Sequence, residues 1–312
     1  MILTVTLNVA LDVTYAVDVL RPGESHRVRS VRGVAGGQGI NVARILHAFG
    51  HDVLLTGLAG GTTGAAVIAE LVSAGVPAAL VPIDNETRRT VSVVSEETGA
   101  ATLLNEPGPE VTADEGAALD DAVARLSASA AVTVMAGSLP PGVPSDAYAR
   151  LVRRARASGS VALVDADGPA LRAALEAHPD VVTPNRAELQ AATGVDDPLA
   201  ASAWLRDRGA AAVVATLGSD GLIAVTPDGA WVARLSRELA PINPTGAGDA
   251  CSAALAAGIE SGRSWPDVLA DANAWSAASV MSPIAGVVDV GELERVRPWV
   301  VVEELDAPRL HR

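Results

Sequence analysis

The spacing of apolar residues changes several times along the chain, and each change predicts an element. Residues 2–7 form a short apolar run that ends at Asn8 and reads as a first strand. Residues 12–18 and 24–34 then alternate around the turn Arg21-Pro22-Gly23, as do 87–96 and 101–106 around Thr98-Gly99. A period of two with mixed polarity predicts half-exposed hairpins rather than central strands. Between these pairs the pattern predicts a helix over 39–49, a strand over 53–58, a helix over 63–74 and a strand over 78–82. Beyond residue 110 helix and strand alternate: helices over 112–127, 145–157, 169–177, 186–193 and 200–208, with strands over 132–136, 161–165, 181–183 and 211–217. Two antiparallel strands over 221–226 and 230–235 follow, and helices over 246–261 and 266–281 close the pattern.

Alternating β and α units imply an α/β fold with a mostly parallel sheet and helices on both faces. No repeat or low-complexity linker divides the 312 residues, so a single domain over 1–312 is expected. The two hairpin segments, about 12–34 and 87–106, would project from it as a small β-sheet serving as a lid, a dimer surface or both.

Composition narrows the chemistry. A net charge of −14 argues against nucleic acid or an anionic membrane as partner. The start reads as a strand rather than a signal peptide, and no apolar run approaches the ~20 residues of a membrane span. A single cysteine, Cys251, excludes an internal disulfide and fits a reducing compartment, so a cytoplasmic protein is expected. All 23 basic residues are arginine. The absence of lysine excludes a Walker-A lysine, a protein-kinase strand lysine and a pyridoxal Schiff base. There is no Gly-x-Ser-x-Gly elbow and no His-Glu-x-x-His, which disfavours hydrolases and zinc enzymes.

Two glycine clusters carry the remaining signal. In Asn243-Pro244-Thr245-Gly246-Ala247-Gly248-Asp249 a flexible turn enters an Ala-rich helix. Amides at a helix N-terminus attract an anion, so a carboxylate at Asp249 is out of place unless it has a task. A phosphoryl group passing over the turn's amides while Asp249 accepts a hydroxyl proton explains both features, and an ordinary Asp near a helix start beside capping glycines is the alternative. The other cluster is Ala35-Gly36-Gly37-Gln38-Gly39-Ile40-Asn41. Gly36 and Gly37 let a ligand approach the backbone, and Asn41 offers a donor and an acceptor for vicinal hydroxyls. Asp12, Ser138, Asp165, Asn185 and Thr216 all fall at or just past strand ends, where open α/β sheets bind ligands.

These two clusters, with Thr6-Leu7-Asn8-Val9-Ala10-Leu11-Asp12, Leu104-Asn105-Glu106-Pro107-Gly108-Pro109 and Ala136-Gly137-Ser138-Leu139-Pro140-Pro141-Gly142, resemble the PfkB (ribokinase-like) carbohydrate kinases. The resemblance extends over nearly the whole chain and is nearest to the branch of 1-phosphofructokinase, tagatose-6-phosphate kinase and the minor 6-phosphofructokinase. It implies a three-layer α/β/α sandwich with a β lid, ATP and Mg²⁺ as cofactors, and phosphorylation of a ketohexose phosphate to a bisphosphate. A homodimer formed through the lid is expected. By the resemblance, Asp249 is the base, and Gly246, Ala247 and Gly248 form the anion hole. Asp12, Gly36, Gly37, Gln38 and Asn41 line the sugar site, while Arg88, Ser138 and Arg27 hold the sugar phosphate, Arg27 in some relatives from a neighbouring subunit. Asn185, Thr216, Gly218, Gly221 and Asn273 bind the nucleotide, and Glu188, in Asn185-Arg186-Ala187-Glu188, serves the metal. For Asn273 a solvent-facing polar residue is the alternative.

Three departures bear on substrate choice. Gln38 stands where the branch usually carries lysine, Val9 replaces a usual proline, and Asp167 adds negative charge near the sugar pocket. A kinase of an unphosphorylated sugar or nucleoside is the competing enzyme, and a non-catalytic sugar or nucleotide sensor the competing class.

Overall fold

The computed structural model describes residues 1–282, 284 and 286–306. The N-terminal part runs β1 (Ile2–Thr6), β2 (Ala10–Val17), β3 (Ser30–Gly36), α1 (Gln38–Ala48), β4 (Val53–Gly60), α2 (Gly61–Ser73) and β5 (Val81–Ile83). Next come β6 (Arg88–Ser95), β7 (Ala101–Asn105), α3 (Ala113–Ser127), β8 (Val132–Ala136), α4 (Ala147–Ala157), β9 (Val161–Asp165), α5 (Gly168–Leu175) and β10 (Val181–Val182). The chain continues through α6 (Arg186–Thr193), α7 (Pro198–Asp207), β11 (Ala212–Thr216), β12 (Leu222–Val225) and β13 (Ala230–Leu235). It then forms α8 (Ala247–Glu260), α9 (Trp265–Ser279), α10 (Val290–Val296) and β14 (Val300–Leu305).

Ten strands form one sheet in the order β14-β13-β12-β11-β10-β9-β8-β1-β4-β5. From β11 to β5 neighbours run parallel, with Ile2 opposite Val53 on one side and Val132 on the other. Strands β12, β13 and β14 continue it antiparallel. Both faces are covered: Ile2 packs with α1, α8 and α9 (Ile40, Leu46, Leu255, Leu269), whereas Leu3 and Val5 pack with α3, α4 and α5 (Leu119, Leu151, Leu171). Burial on both faces explains why β1 and β8 are buried along their whole length, with apolar residues on both faces and only threonine among the polar ones. In α8, residues 249–258 are all buried, so the helix between sheet and α9 is apolar all round. A Cβ at Gly258 would lie 2.6 Å from Val268, which makes glycine the residue that allows α8 and α9 to approach.

The alternating segments form the second sheet, ordered β3-β2-β6-β7. Two antiparallel hairpins join through a parallel β2–β6 pair, with Ala10 opposite Arg88 and Val17 opposite Ser95. The expected strand over 24–34 begins only at Ser30; the preceding exposed loop is tied back where Arg29 pairs with Asp18 and Glu96. The expected strand over 78–82 is shifted to Val81–Ile83, leaving Ala78 as an isolated bridge to Leu55. Helix α10 and strand β14 were outside the expected pattern. The one is only seven residues long, and the other is defined by pairing with β13. Residues 307–312 of the expected domain lie outside the described residues.

Candidate active site

Helix α8 begins where Gly246 turns left-handed at φ 90°. The preceding turn is pinned by the Thr245 amide, which donates to Asn243 Oδ1 at 3.0 Å. The amides of Gly248 and Asp249 have no backbone carbonyl partner among the described residues. Gly248 is exposed and a Cβ there would meet nothing within 4 Å, so the turn leaves room beside these amides. Ser276 of α9 donates to the Ala247 carbonyl at 3.0 Å and steadies the first turn. Free amides and a left-handed cap suit an anion and make this turn a candidate site for one.

Asp249 closes that site and is only 5% exposed. Asn41 Nδ2 donates to Asp249 Oδ2 at 2.7 Å. Burial raises the carboxyl to about 6, partly opposed by the Asn41 hydrogen bond and assisted by the charge of Asp12. A carboxylate with that pKa is ionised at neutral pH yet basic enough to accept a proton.

Asp12 approaches from β2. A Cβ at Gly36 would fall 2.1 Å from the Asp12 carboxylate, so glycine there makes room for the acid. Burial raises the Asp12 pKa against a hydrogen bond from Thr90 and the charges of Arg88 and Arg44. Gly37 (φ 118°) precedes α1, and the Gly39 amide donates to Thr6 Oγ1 at 2.7 Å. That bond docks the first turn of α1 on the end of β1 and carries Asn41 toward α8. Gln38 is exposed, and a Cβ at Gly137 would lie 3.7 Å from its Oε1, so it borders the turn holding Ser138.

Arg88 is half-buried at the base of β6, and burial lowers its pKa while Asp12 and Glu106 raise it. Nε donates to the Asn8 carbonyl at 3.3 Å, and Nη1 reaches Thr90 Oγ1 and the Glu106 carbonyl at 3.4 Å. Nη2 donates to none of the described residues. Ser138 is joined to the same spot by Asn8, whose Nδ2 donates to Ser138 Oγ at 3.1 Å. Arg27 does not converge with them. Arg88 pairs with Ala10 at the base of the small sheet, whereas Arg27 lies in the loop beyond the Ala16–Ser30 pair at its tip. Six residues of strand, about 20 Å, separate the two ends.

On the other side of α8, Asn185 and Glu188 form a capping box at the start of α6. The Glu188 amide donates to Asn185 Oδ1 at 3.0 Å, and Glu188 accepts from the Asn185 amide at 2.9 Å and from Nδ2 at 2.5 Å. Local helix capping therefore accounts for the Asn-x-x-Glu spacing. Burial raises the Glu188 pKa, and Asp167 adds to it. Asp165, buried at the end of β9, is pushed up to about 8 by burial, then by the charges of Asp249, Glu188 and Asp167, while Ser252 donates to it at 3.1 Å. The charge of Asp167 acts on Asp165 and Glu188 on the nucleotide side and on Tyr148, which supports the turn holding Ser138.

Thr216 bridges to Asn185 at the end of β11, and the Gly218–Asp220 turn follows. A Cβ at Gly218 would meet nothing within 4 Å, whereas one at Gly221 (φ 88°) would strike the Ala233 carbonyl at 2.1 Å. Asn273 is 5% exposed, which rules out the solvent-facing alternative, and its Nδ2 is buried without a partner among the described residues. Sequence reasoning assigned no role to Asn8 or to Asp165, although the first stands in a quoted motif and the second at a strand end.

A family model described as pfkB family carbohydrate kinase matches residues 5–287. Over 301 residues the chain is 36% identical to the ATP-dependent 6-phosphofructokinase isozyme 2 of Mycobacterium tuberculosis, covering 94% of this chain and 88% of the relative. The structure of phosphofructokinase-2 from Escherichia coli in complex with potassium superposes with a TM-score of 0.90 at 27% identity, covering 96% of this chain and 98% of that one. That relative is also known in complex with fructose-6-phosphate and in a tetrameric inhibited form. A protein from Thermotoga maritima described as a possible 1-phosphofructokinase superposes with a TM-score of 0.87 at 25% identity, covering 98% and 100%.

Proposed function

Because the chain belongs to the pfkB family of carbohydrate kinases, we propose that it transfers the γ-phosphoryl group of ATP to a hydroxyl of a ketohexose phosphate, forming a bisphosphate. The observation that carries this reading is the buried Asp249, raised to about 6 and set beside the amides of Gly248 and Asp249, which have no backbone partner among the described residues. Asp249 takes the proton of the attacking hydroxyl, and the amides of Gly246 and Gly248 stabilise charge on the transferring group, whereas the Ala247 amide, also expected in the anion hole, donates to the Pro244 carbonyl at 3.4 Å. Asn41 keeps the Asp249 carboxylate turned toward the sugar, and Asp12, with room left by Gly36 and Gly37, binds a second hydroxyl. Gln38 borders the phosphate end, where its amide donates.

A phosphorylated substrate is favoured by Arg88, a half-buried guanidinium with one amino group unengaged beside Ser138. Arginine binds phosphate through two parallel hydrogen bonds, so no lysine is needed. Arg27, at the tip of the small sheet, would reach such a site only in a second copy. Val31, Leu103 and Leu104 expose apolar surface on that sheet, which supports a homodimer built through it.

The nucleotide side uses Asn185, Thr216, Gly218 and Gly221, with Asn273 bordering the base. Among the described residues no three His, Cys, Asp or Glu side chains stand close enough to hold a metal by themselves; Glu188, raised by burial and then by the charge of Asp167, would hold Mg²⁺ together with phosphate oxygens and water. When bound there, Mg²⁺ neutralises phosphate charge. Among the described residues no helix is long and apolar enough to cross a membrane; a cytoplasmic location is our reading from the single, buried cysteine.

The test is a kinase-coupled screen of fructose 1-phosphate, fructose 6-phosphate, tagatose 6-phosphate and the free sugars. A ketohexose phosphate should have the highest kcat/KM. Preference for a free sugar or nucleoside would replace this reading with the competing one.

A further inference from the structure

Asn8 lies in the bend between β1 and β2, where the main sheet, the small sheet and the 105–109 segment meet. It is 6% exposed. Nδ2 donates to the Pro107 carbonyl and to Ser138 Oγ, each at 3.1 Å, while the Asn8 carbonyl accepts from Arg88 Nε. The orientation of the amide follows from Pro107: a carbonyl only accepts, so the nitrogen faces it. On the other side Gly108 (φ 107°) leaves room, since a Cβ there would sit 2.3 Å from Asn8 Oδ1. Oδ1 itself is buried without a partner among the described residues. Burying a lone acceptor is unfavourable, so the residue is held at this position by what its nitrogen does.

What the nitrogen does is set the polarity of Ser138. With one lone pair engaged by Asn8, the Ser138 hydroxyl keeps its proton for another acceptor, and none is found among the described residues. Ser138 is exposed, and its turn is steadied by Tyr148, whose hydroxyl donates to the Gly137 carbonyl at 2.7 Å. A phosphate oxygen can only accept. We infer that Asn8 is a positioning residue for the sugar phosphate: its amide presents Ser138 as a donor, and its carbonyl holds Arg88 alongside. The inference rests on the reading of Ser138 as a phosphate contact.

The test is a double-mutant cycle on the full-length enzyme, with fructose 6-phosphate or whichever ketohexose phosphate the screen selects. Ser138→Ala and Asn8→Ala should each raise KM for that substrate about tenfold, the scale of one hydrogen bond. KM for ATP should move less than about twofold. In the Ser138→Ala background, Asn8→Ala should add less than about twofold, because both changes remove the same donor. Independent, multiplying losses overturn the inference and leave the Ser138 role standing. A silent Ser138→Ala overturns that role and the inference with it. Asn8→Asp keeps the shape and guards against an unfolded alanine variant. Its carboxylate would accept the hydrogen bond of the Ser138 hydroxyl, so its KM defect relative to wild type should shrink at acidic pH, where the introduced carboxyl can donate. A defect that is constant with pH overturns the inference.

Discussion

Asn41 and Asp249 lie 208 residues apart in sequence, yet Asn41 Nδ2 donates to Asp249 Oδ2 at 2.7 Å. This one bond joins the two glycine-rich turns. Asn41 stands on the first turn of α1 and Asp249 on the first turn of α8, and burial between them raises the acid to about 6. Replacing Asp249 by Asn keeps the shape and removes the proton acceptor, so kcat should fall by at least ~10²-fold. Affinities for sugar phosphate and ATP should change much less. Near-wild-type turnover would exclude Asp249 as the base.

The pH profile follows from the same group. The base must be ionised, so kcat/KM should be high above about pH 6 and fall as pH drops through that value. A profile flat down to pH 5 would mean that another group takes the proton.

Stability of the free protein should show the reverse trend. Asp165 is raised to about 8 and Asp249 to about 6 from the ordinary 3.8. Between those values and 3.8 the native state binds more protons than the unfolded chain, so stability falls as pH rises through that window. Thermal unfolding in chelator should give a lower Tm at pH 8 than at pH 5.5, and Asp165→Asn should flatten the slope. A Tm that rises with pH in both proteins would contradict the buried-carboxyl account.

Glu188 serves both the capping box and the proposed metal site, and two substitutions separate these roles. Glu188→Gln retains an acceptor for the Asn185 amide, so the helix cap survives. The Mg²⁺ concentration giving half-maximal rate should nevertheless rise, because the charge is lost. Glu188→Ala should also destabilise by ~1 kcal/mol, the usual scale for losing a cap interaction. Unchanged Mg²⁺ dependence in Glu188→Gln would leave Glu188 a capping residue only.

Arg88 and Arg27 should behave differently because they occupy opposite ends of the small sheet. Arg88→Ala should cost ~1.5–3 kcal/mol of sugar-phosphate binding, the range for a hydrogen bond to a charged group, and spare any activity on free sugar. An equal loss on both substrates would remove Arg88 from the phosphate site. If Arg27 contributes, it does so across a dimer. Mixing Arg27→Ala with Asp249→Asn should then create hybrid dimers in which one site regains normal KM. No recovery in hybrids confirmed to form would eliminate that role.

Much of this was readable along the chain. Periods of two marked the segments of the small sheet, and apolar runs separated by helical patterns marked the parallel core. The Gly246–Asp249 turn marked amides at a helix start beside an acid, and the structure places both there. Such features are local: side-chain alternation, glycine backbone freedom and helix-end amides depend on neighbours within a few residues. The same locality hid α10 and β14, a helix of seven residues and a strand whose identity depends on pairing with β13.

The tertiary structure decided the rest. The register of β2 against β6 put Arg88 at the base of the small sheet, and the β2–β3 pairing carried Arg27 away to its tip. Packing of α1 against α8 turned Asn41 onto Asp249, and the convergence of Asp165, Asp167 and Glu188 set their charges against one another. Asn8, an ordinary strand-end residue in the sequence, became the joint between Ser138, Pro107 and Arg88. Sequence chooses which groups are present near each strand end. Their distances, burial and mutual charge arise only when strands far apart in the chain close into one sheet, because hydrogen-bond geometry and desolvation depend on position in space.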